Sequence, residues 1–308
     1  MKKKIVLSSI SNTQKYSITQ DMDNYITHCK VRGMSPHTID NYTTILKGFI
    51  TWLGDVPTSS ITTDTINRFV IYCRDERKNN NTSIKDKLKV LKTFFKYCDV
   101  NVALPSIQAE KNFKTPYTEE EIKKLLEKPT INSYTQWRNH AIISTLLGTG
   151  IRSRTLINLK IRDLDFKNNT IFLEKTKTNK QYYLPMSTAL RQTLRHYLSL
   201  YEHNEDDYLF VNLYGEPLNR HSLKQTIRDY NHMKGVTKVS IHLFRHTFAV
   251  NYLRNGGNIM YLKEILGHSK LTTTQIYLQI NNEDLKLNFD EYNPLDKTVR
   301  KGIKIKKK

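Results

Sequence analysis

Residues 241–277 read IHLFRHTFAVNYLRNGGNIMYLKEILGHSKLTTTQIY, and the rest of the chain is organised around them. Four polar residues mark this stretch: His242, Arg245, His268 and Tyr277. His242 and Arg245 are three apart, which places them on one face of a helix. They stand at the mouth of an apolar run through Leu243, Phe244, Phe248, Ala249, Val250, Tyr252 and Leu253. Gly256-Gly257 reads as a helix stop. A second run, 259–266, closes at Gly267; His268 follows, and a third short segment, 272–280, carries Tyr277. Taken singly, a His-x-x-Arg pair is most often a surface contact, and one Tyr among 18 says little. Together they fit a chemistry that uses cations, imidazoles and a phenol at one place, the cleavage of a phosphodiester by a tyrosine nucleophile.

Composition bounds the partner. The 308 residues allow one large domain or two ordinary ones. With 49 Lys and Arg against 29 Asp and Glu, the formal charge is +20, yet 38% of residues are hydrophobic. That combination describes a folded basic protein rather than a disordered tail. A polyanion is the expected partner, nucleic acid before anionic membrane, because no stretch reaches the length of a membrane span. The start, MKKKIVLSSISNTQKY, is basic but has too short an apolar run for a secretory signal. Cys29, Cys73 and Cys98 lack metal-ligand spacing and read as core or half-buried thiols of a reducing cytoplasm. The expected location is cytoplasmic, nucleoid-associated when bound to DNA.

Periodicity divides the chain. Residues 1–15 form a polar lead. Between 16 and 102 four amphipathic segments appear, at 16–31, 36–53, 63–75 and 84–97, with a polar loop at 78–83. Ser35-Pro36 supplies an N-cap and a first-turn proline, and Gly54 a stop. The last segment sets Leu88, Leu91, Phe94 and Phe95 on one side and Lys85, Lys87, Lys89, Lys92 and Lys96 on the other. Such a lysine row is either a solvated face or a contact for DNA phosphates. Residues 103–116 read as an exposed basic linker with two prolines. From 117 to 294 a mixed domain follows. It opens on a capping box, Thr118 to Glu121, and continues into a long buried helix interrupted at Gly148-Thr149-Gly150. Short strands at 171–173 and 182–184 flank KTKTNK as a hairpin, 208–211 is a short strand or edge, and helices fall at 189–200 and 221–230. Residues 295–308 are a basic tail. The fold class is therefore mainly α: a helical N-terminal bundle followed by an α+β domain with a small β-hairpin sheet.

At this point the chain resembles the tyrosine recombinase (phage integrase) family, in its simple two-domain form. The resemblance is carried by TGIR at 149–152, TKTNK at 176–180, HLFRH at 242–246, LGH at 266–268, and Tyr277 nine residues after His268. Each piece is weak and the ordered set is specific. The resemblance implies that the helical bundle is a core-binding domain that clamps DNA and that the second domain is catalytic. It makes Arg152 the first catalytic arginine and Lys177 the hairpin lysine, with Lys175 and Lys180 as competitors. It makes His242 and Arg245 the second-box pair, His268 the third-box histidine and Tyr277 the nucleophile. There is one departure: the position three after the first arginine is commonly acidic in the family, and here it is Thr155. That leaves open a weaker or differently supported enzyme.

On this reading Tyr277 attacks the scissile phosphate to give a 3′-phosphotyrosine and a free 5′-hydroxyl. A phenol near pKa 10 needs help with its proton, for which His242 is the candidate. Arg152 and Arg245 neutralise the non-bridging oxygens with planar, permanently charged forks, His268 adds a hydrogen bond, and Lys177 protonates the leaving oxygen. Neither metal nor other cofactor is expected. The implied partner is double-stranded DNA with a specific recombination site, bound by a homotetramer on two duplexes, with a monomer expected when free. Leu285, Leu287, Phe289 and Tyr292 would dock into a neighbouring protomer. The expected job is integration, excision or resolution of a mobile element. Chromosome or plasmid dimer resolution, a catalytically weak DNA-binding regulator and a type IB topoisomerase are the alternatives.

Overall fold

The computed structural model of the chain describes residues 16–108, 115–130, 133–173 and 182–278. The chain divides into two compact units, with the boundary between Phe113 and Lys114.

The first unit holds four α-helices among its described residues: α1 (Ile18–Val31), α2 (Pro36–Leu53), α3 (Thr63–Asp75) and α4 (Asn81–Tyr97). Each is started by a side chain that takes an orphan backbone N–H: Ser17, Ser35, Thr62 and Asn80 in turn. Asn80 moves the start of α4 back into the expected 78–83 loop, because its carbonyl oxygen accepts from Ser83 N at 2.8 Å. The core is aromatic, with Phe49 edge-on to Phe69 at 4.8 Å and both Phe94 and Leu91 fully buried. Lys85, Lys89, Lys92 and Lys96 are exposed along α4, whereas Lys87 turns back to Asn79 and Cys73. The lysine row is thus shorter than its spacing suggests. The stretch expected to begin an exposed linker instead packs on this unit through Leu104 and Ile107, and Asn81 Nδ2 donates to Gln108 O. Those two apolar residues are the anchors that the prolines between and around them obscure. All three cysteines are free thiols, Cys29 and Cys73 buried and Cys98 half-buried.

In the second unit the helix α5 (Glu119–Leu126) begins with the Thr118/Glu121 capping box, as expected. The helix α6 (Tyr134–Thr149) is the centre of the core, burying Ala141, Ile142, Ile143, Leu146 and even Thr145 and Thr149. Burial of the two threonines is satisfied locally, each hydroxyl donating to the carbonyl four residues back. Next come the short helix α7 (Ser153–Ile157), the strands β1 (Leu164–Asp165), β2 (Thr170–Leu173) and β3 (Tyr182–Pro185), and α8 (Thr188–Leu198). The strands form one antiparallel sheet in the order β1-β2-β3 rather than a bare hairpin. The register Ile171↔Leu184 puts apolar residues on the inner face and leaves Phe172 against Tyr183 on the other. Two residues of β1 are too few for alternation to reveal them. Residues 208–211 join no sheet and form isolated bridges, Lys160↔Tyr208 and Val211↔Pro217. Four helices complete the described residues: α9 (Arg220–Met233), α10 (Ile241–Arg254), α11 (Ile259–Leu266) and α12 (Thr272–Gln275). Both α8 and α10 pack on α6. Among the described residues no helix is long and apolar enough to cross a membrane.

The sequence reads Gly148-Thr149-Gly150 as an interruption, but α6 runs through the first two and stops only at Gly150. There φ is +62°, and a Cβ would fall 2.5 Å from Phe248 Cδ1 and 3.0 Å from Leu266 Cδ2. Left-handed backbone and close approach from α10 and α11 both demand glycine. Gly150→Ala should therefore cost about 2–4 kcal/mol of stability, the sum of backbone strain and overpacking. Urea denaturation of the two proteins checks this, with an unchanged midpoint as the contrary result.

Candidate active site

Two helices of the second unit end in left-handed glycines, α6 at Gly150 and α11 at Gly267, whose φ is +60°. A helix end leaves its last carbonyls without intrahelical donors and carries a partial negative charge. Arginines use both ends. Arg245, on α10 and 8% exposed, donates from Nη1 to Gly150 O at 2.8 Å and from Nη2 to Leu266 O at 2.6 Å. Arg152, the residue before α7, donates from Nη2 to Gly267 O at 3.1 Å. Carbonyls thus hold both guanidinium groups. Thr155 itself is half-buried on α7.

Arg245 Nη2 also lies 2.8 Å from His268 Nε2, and His268 Nδ1 lies 2.9 Å from the hydroxyl of Thr274, which is fully buried on α12. Burial, with the charges of Arg245 and Arg152 behind it, pushes the His268 imidazole down to about 4. Burial and then Arg152 lower Arg245 to about 10, opposed by Tyr277, so Arg245 remains a cation at neutral pH.

Tyr277 follows α12 directly. Its ring packs 5.4 Å from His246 and 6.3 Å from His268, within a small cluster of Ala249, Leu262 and Leu266. The structure places Arg152, Arg245, His268 and Tyr277, which the family resemblance singles out, near one another. His242 is exposed in the first turn of α10. Lys177, with Lys175 and Lys180, lies outside the described residues, as do Leu285, Leu287, Phe289 and Tyr292.

The structure adds residues that the sequence did not single out. Tyr182, on β3, reaches the same cage: its Oη and Arg152 Nη1 lie 3.1 Å and 3.4 Å from the point where Gly267 would bear a Cβ. Burial raises the Tyr182 phenol, while Arg152 and Arg245 pull the other way. Only the alternation of Tyr182 with exposed Tyr183 on the strand hinted at an inward ring. His246 was visible inside HLFRH without a role, and Thr274 had no signal at all.

Residues 117–284 match the model of the phage integrase family, and residues 22–99 that of the phage integrase N-terminal SAM-like domain. The chain belongs to the phage integrase family. Within this family it is similar to a tyrosine recombinase XerC of Chlamydia caviae, 27% identical over 298 residues, covering 86% of this chain and 95% of the relative. A tyrosine recombinase XerA of Pyrococcus furiosus is 30% identical over 284 residues, covering 90% and 96%. Among solved structures the Tn1549 transposon integrase, in complex with transposon right end DNA, shares the fold. Its TM-score is 0.75 at 20% identity, covering 89% of this chain and 99% of that one.

The depressed His268 has a consequence for stability. A histidine whose folded pKa is about 4, against an ordinary 6.5, contributes stability that is complete above pH 6.5 and lost as pH falls toward 4. His140, whose buried ring is lowered too, adds a loss of the same sign as pH falls. His268→Gln should flatten this acid loss, leaving the His140 share. Denaturation midpoints at pH 7 and pH 4.5 measure it; equal losses in the two proteins would contradict the assignment.

Proposed function

We propose that this protein is a site-specific DNA recombinase that cuts and rejoins strands through a 3′-phosphotyrosine on Tyr277. The observation that carries this reading is the packing of the Tyr277 ring against His246 and His268, with His268 bonded to Arg245 and both arginines anchored on helix-end carbonyls.

The chemistry follows from that placement. Tyr277 Oη forms a bond to the scissile phosphorus while the bond to the 5′ oxygen breaks. The phenolic proton passes to an imidazole, His242 by its motif or His246 by its ring contact at 5.4 Å. Lys177 protonates the departing 5′ oxygen as general acid. Arg152 and Arg245 meet the charge that builds on the non-bridging oxygens. Their anchorage means that little reorganisation is needed when it builds. The phosphotyrosine preserves the ester, so a 5′-hydroxyl from a partner strand displaces the tyrosine with no external energy source. Hydrolysis would instead leave a break.

The substrate in this proposal is double-stranded DNA bearing a specific site, reached in the cytoplasm. The exposed lysines of α4 contribute phosphate contacts. The job is integration, excision or resolution of a mobile element, and dimer resolution of a chromosome or plasmid is the alternative. Strand exchange needs partner active sites, which we assign to a homotetramer on two duplexes formed from protomers that are single without DNA. Its link is the 285–292 segment, through Leu285, Leu287, Phe289 and Tyr292. An apolar cleft of about 490 Å3 in the second unit, lined by Leu126, Leu147, Leu190 and Phe248, has the chemistry to receive it.

Incubation with a nicked suicide duplex should trap the protein covalently on DNA. Tyr277→Phe should abolish that species, by at least about a thousandfold for loss of a covalent nucleophile, while binding persists. Trapping that survives the substitution overturns the proposal. A protein ending after Asn281 should bind DNA nearly as well as the full chain yet fail to recombine two duplexes. Recombination by the shortened protein excludes the docking role of 285–292.

A further inference from the structure

The hydrogen bonds around His268 leave one tautomer, and this bears on how the arginine cage is held. A guanidinium has five N–H donors and no acceptor. At 2.8 Å from Arg245 Nη2, His268 Nε2 therefore accepts through its lone pair. A neutral imidazole then carries its hydrogen on Nδ1, and this donates to Thr274 Oγ1 at 2.9 Å. A doubly protonated ring is ruled out by the same geometry, since an Nε2–H would face an arginine N–H.

We propose that Thr274 is a positioning residue: by accepting from Nδ1 it fixes the His268 tautomer that offers a lone pair to Arg245. His268 then serves the DNA-free site as a support for the arginine, not as a donor waiting for phosphate. That departs from the donor role expected of it by resemblance. The inference rests on the proposed use of this site for strand cleavage, but its central claim concerns the protein without DNA.

The chain of contacts has a second consequence. Tyr277 N donates to Thr274 O at 3.0 Å, so Thr274 touches the nucleophile's backbone with its carbonyl and the cage with its hydroxyl. From Tyr277 the path runs through Thr274 and His268 to Arg245, and from there to the ends of α6 and α11. The segment that carries the phenol is thereby registered against the cations that surround it. Full burial of Thr274 keeps water from replacing its hydroxyl as acceptor. Without that acceptor the Nδ1–H form loses its advantage. The other tautomer points a hydrogen at Arg245 and drives the guanidinium from its place.

The test starts with the unmodified protein. Long-range 1H–15N correlation spectra of 15N-histidine-labelled protein at pH 7, with His268→Gln used to assign the ring, should show His268 as the Nδ1–H tautomer. A predominantly Nε2–H ring overturns the inference without recourse to any variant. Thr274→Val keeps the shape and removes the acceptor; it should mix the tautomers and slow covalent trapping about tenfold or more. The probe is a nicked duplex carrying the site recovered by sequencing the covalently attached strand, under saturating protein. Thr274→Ser retains the acceptor and should restore the tautomer and the rate to within about threefold. Trapping by Thr274→Val at the unmodified rate, or an unchanged tautomer in it, counts against the proposal. Should Tyr277→Phe still trap while His268 shows the stated tautomer, it is the recombinase reading that fails and the positioning role that stands.

Discussion

The site depends on a pairing between arginine side chains and the open ends of helices. A guanidinium buried as deeply as Arg245 has lost most of its water and needs partners that replace it. Carboxylates would do so, but they would also cancel the charge. Terminal carbonyls satisfy the N–H groups and leave the net charge on the arginine. The second unit supplies them at two places, the end of α6 and the end of α11, and so fixes two cations without neutralising them.

This pairing explains constraints elsewhere in the unit. Gly150 and Gly267 are both left-handed caps, so the backbone turns away and the last carbonyls point into the site instead of into a further helical turn. Phe248 closes over Gly150 from α10, the helix that also carries Arg245. The arginine and its acceptor are therefore brought together by the packing of α10 on α6. That packing also explains why α6 is buried on nearly all sides and carries Thr145 and Thr149 with hydroxyls bonded within the helix. Any loosening of the core would be felt at the cations.

The absence of a carboxylate at position 155 takes on a different meaning in this light. Read along the chain, Thr155 removes a recognised support from Arg152. In space, Arg152 donates to Gly267 O, a carbonyl more than a hundred residues away. The cost of concentrating charge in one place is visible in the neighbours. Both Arg245 and His268 are held below their ordinary proton affinity, first by burial and then by the other cations. An anionic phosphate would oppose that mutual repulsion.

Much of this was legible in the sequence. Capping residues and apolar spacing located the helices of the first unit to within a few residues, and the order of the motifs pointed to the family. Errors fell where the signal was physically small: a two-residue strand, an asparagine cap inside a polar loop, apolar anchors among prolines. The sequence by itself determined the elements, the family, the excess of positive charge and the residues able to act on a phosphodiester, because these depend on side-chain identity and local spacing. Only the tertiary structure decided what holds the arginines, that Tyr182 and His246 share their surroundings, and that Thr274 faces His268. Backbone carbonyls are present at every position, and nothing in a sequence says which of them a fold will leave open and aim at a distant cation.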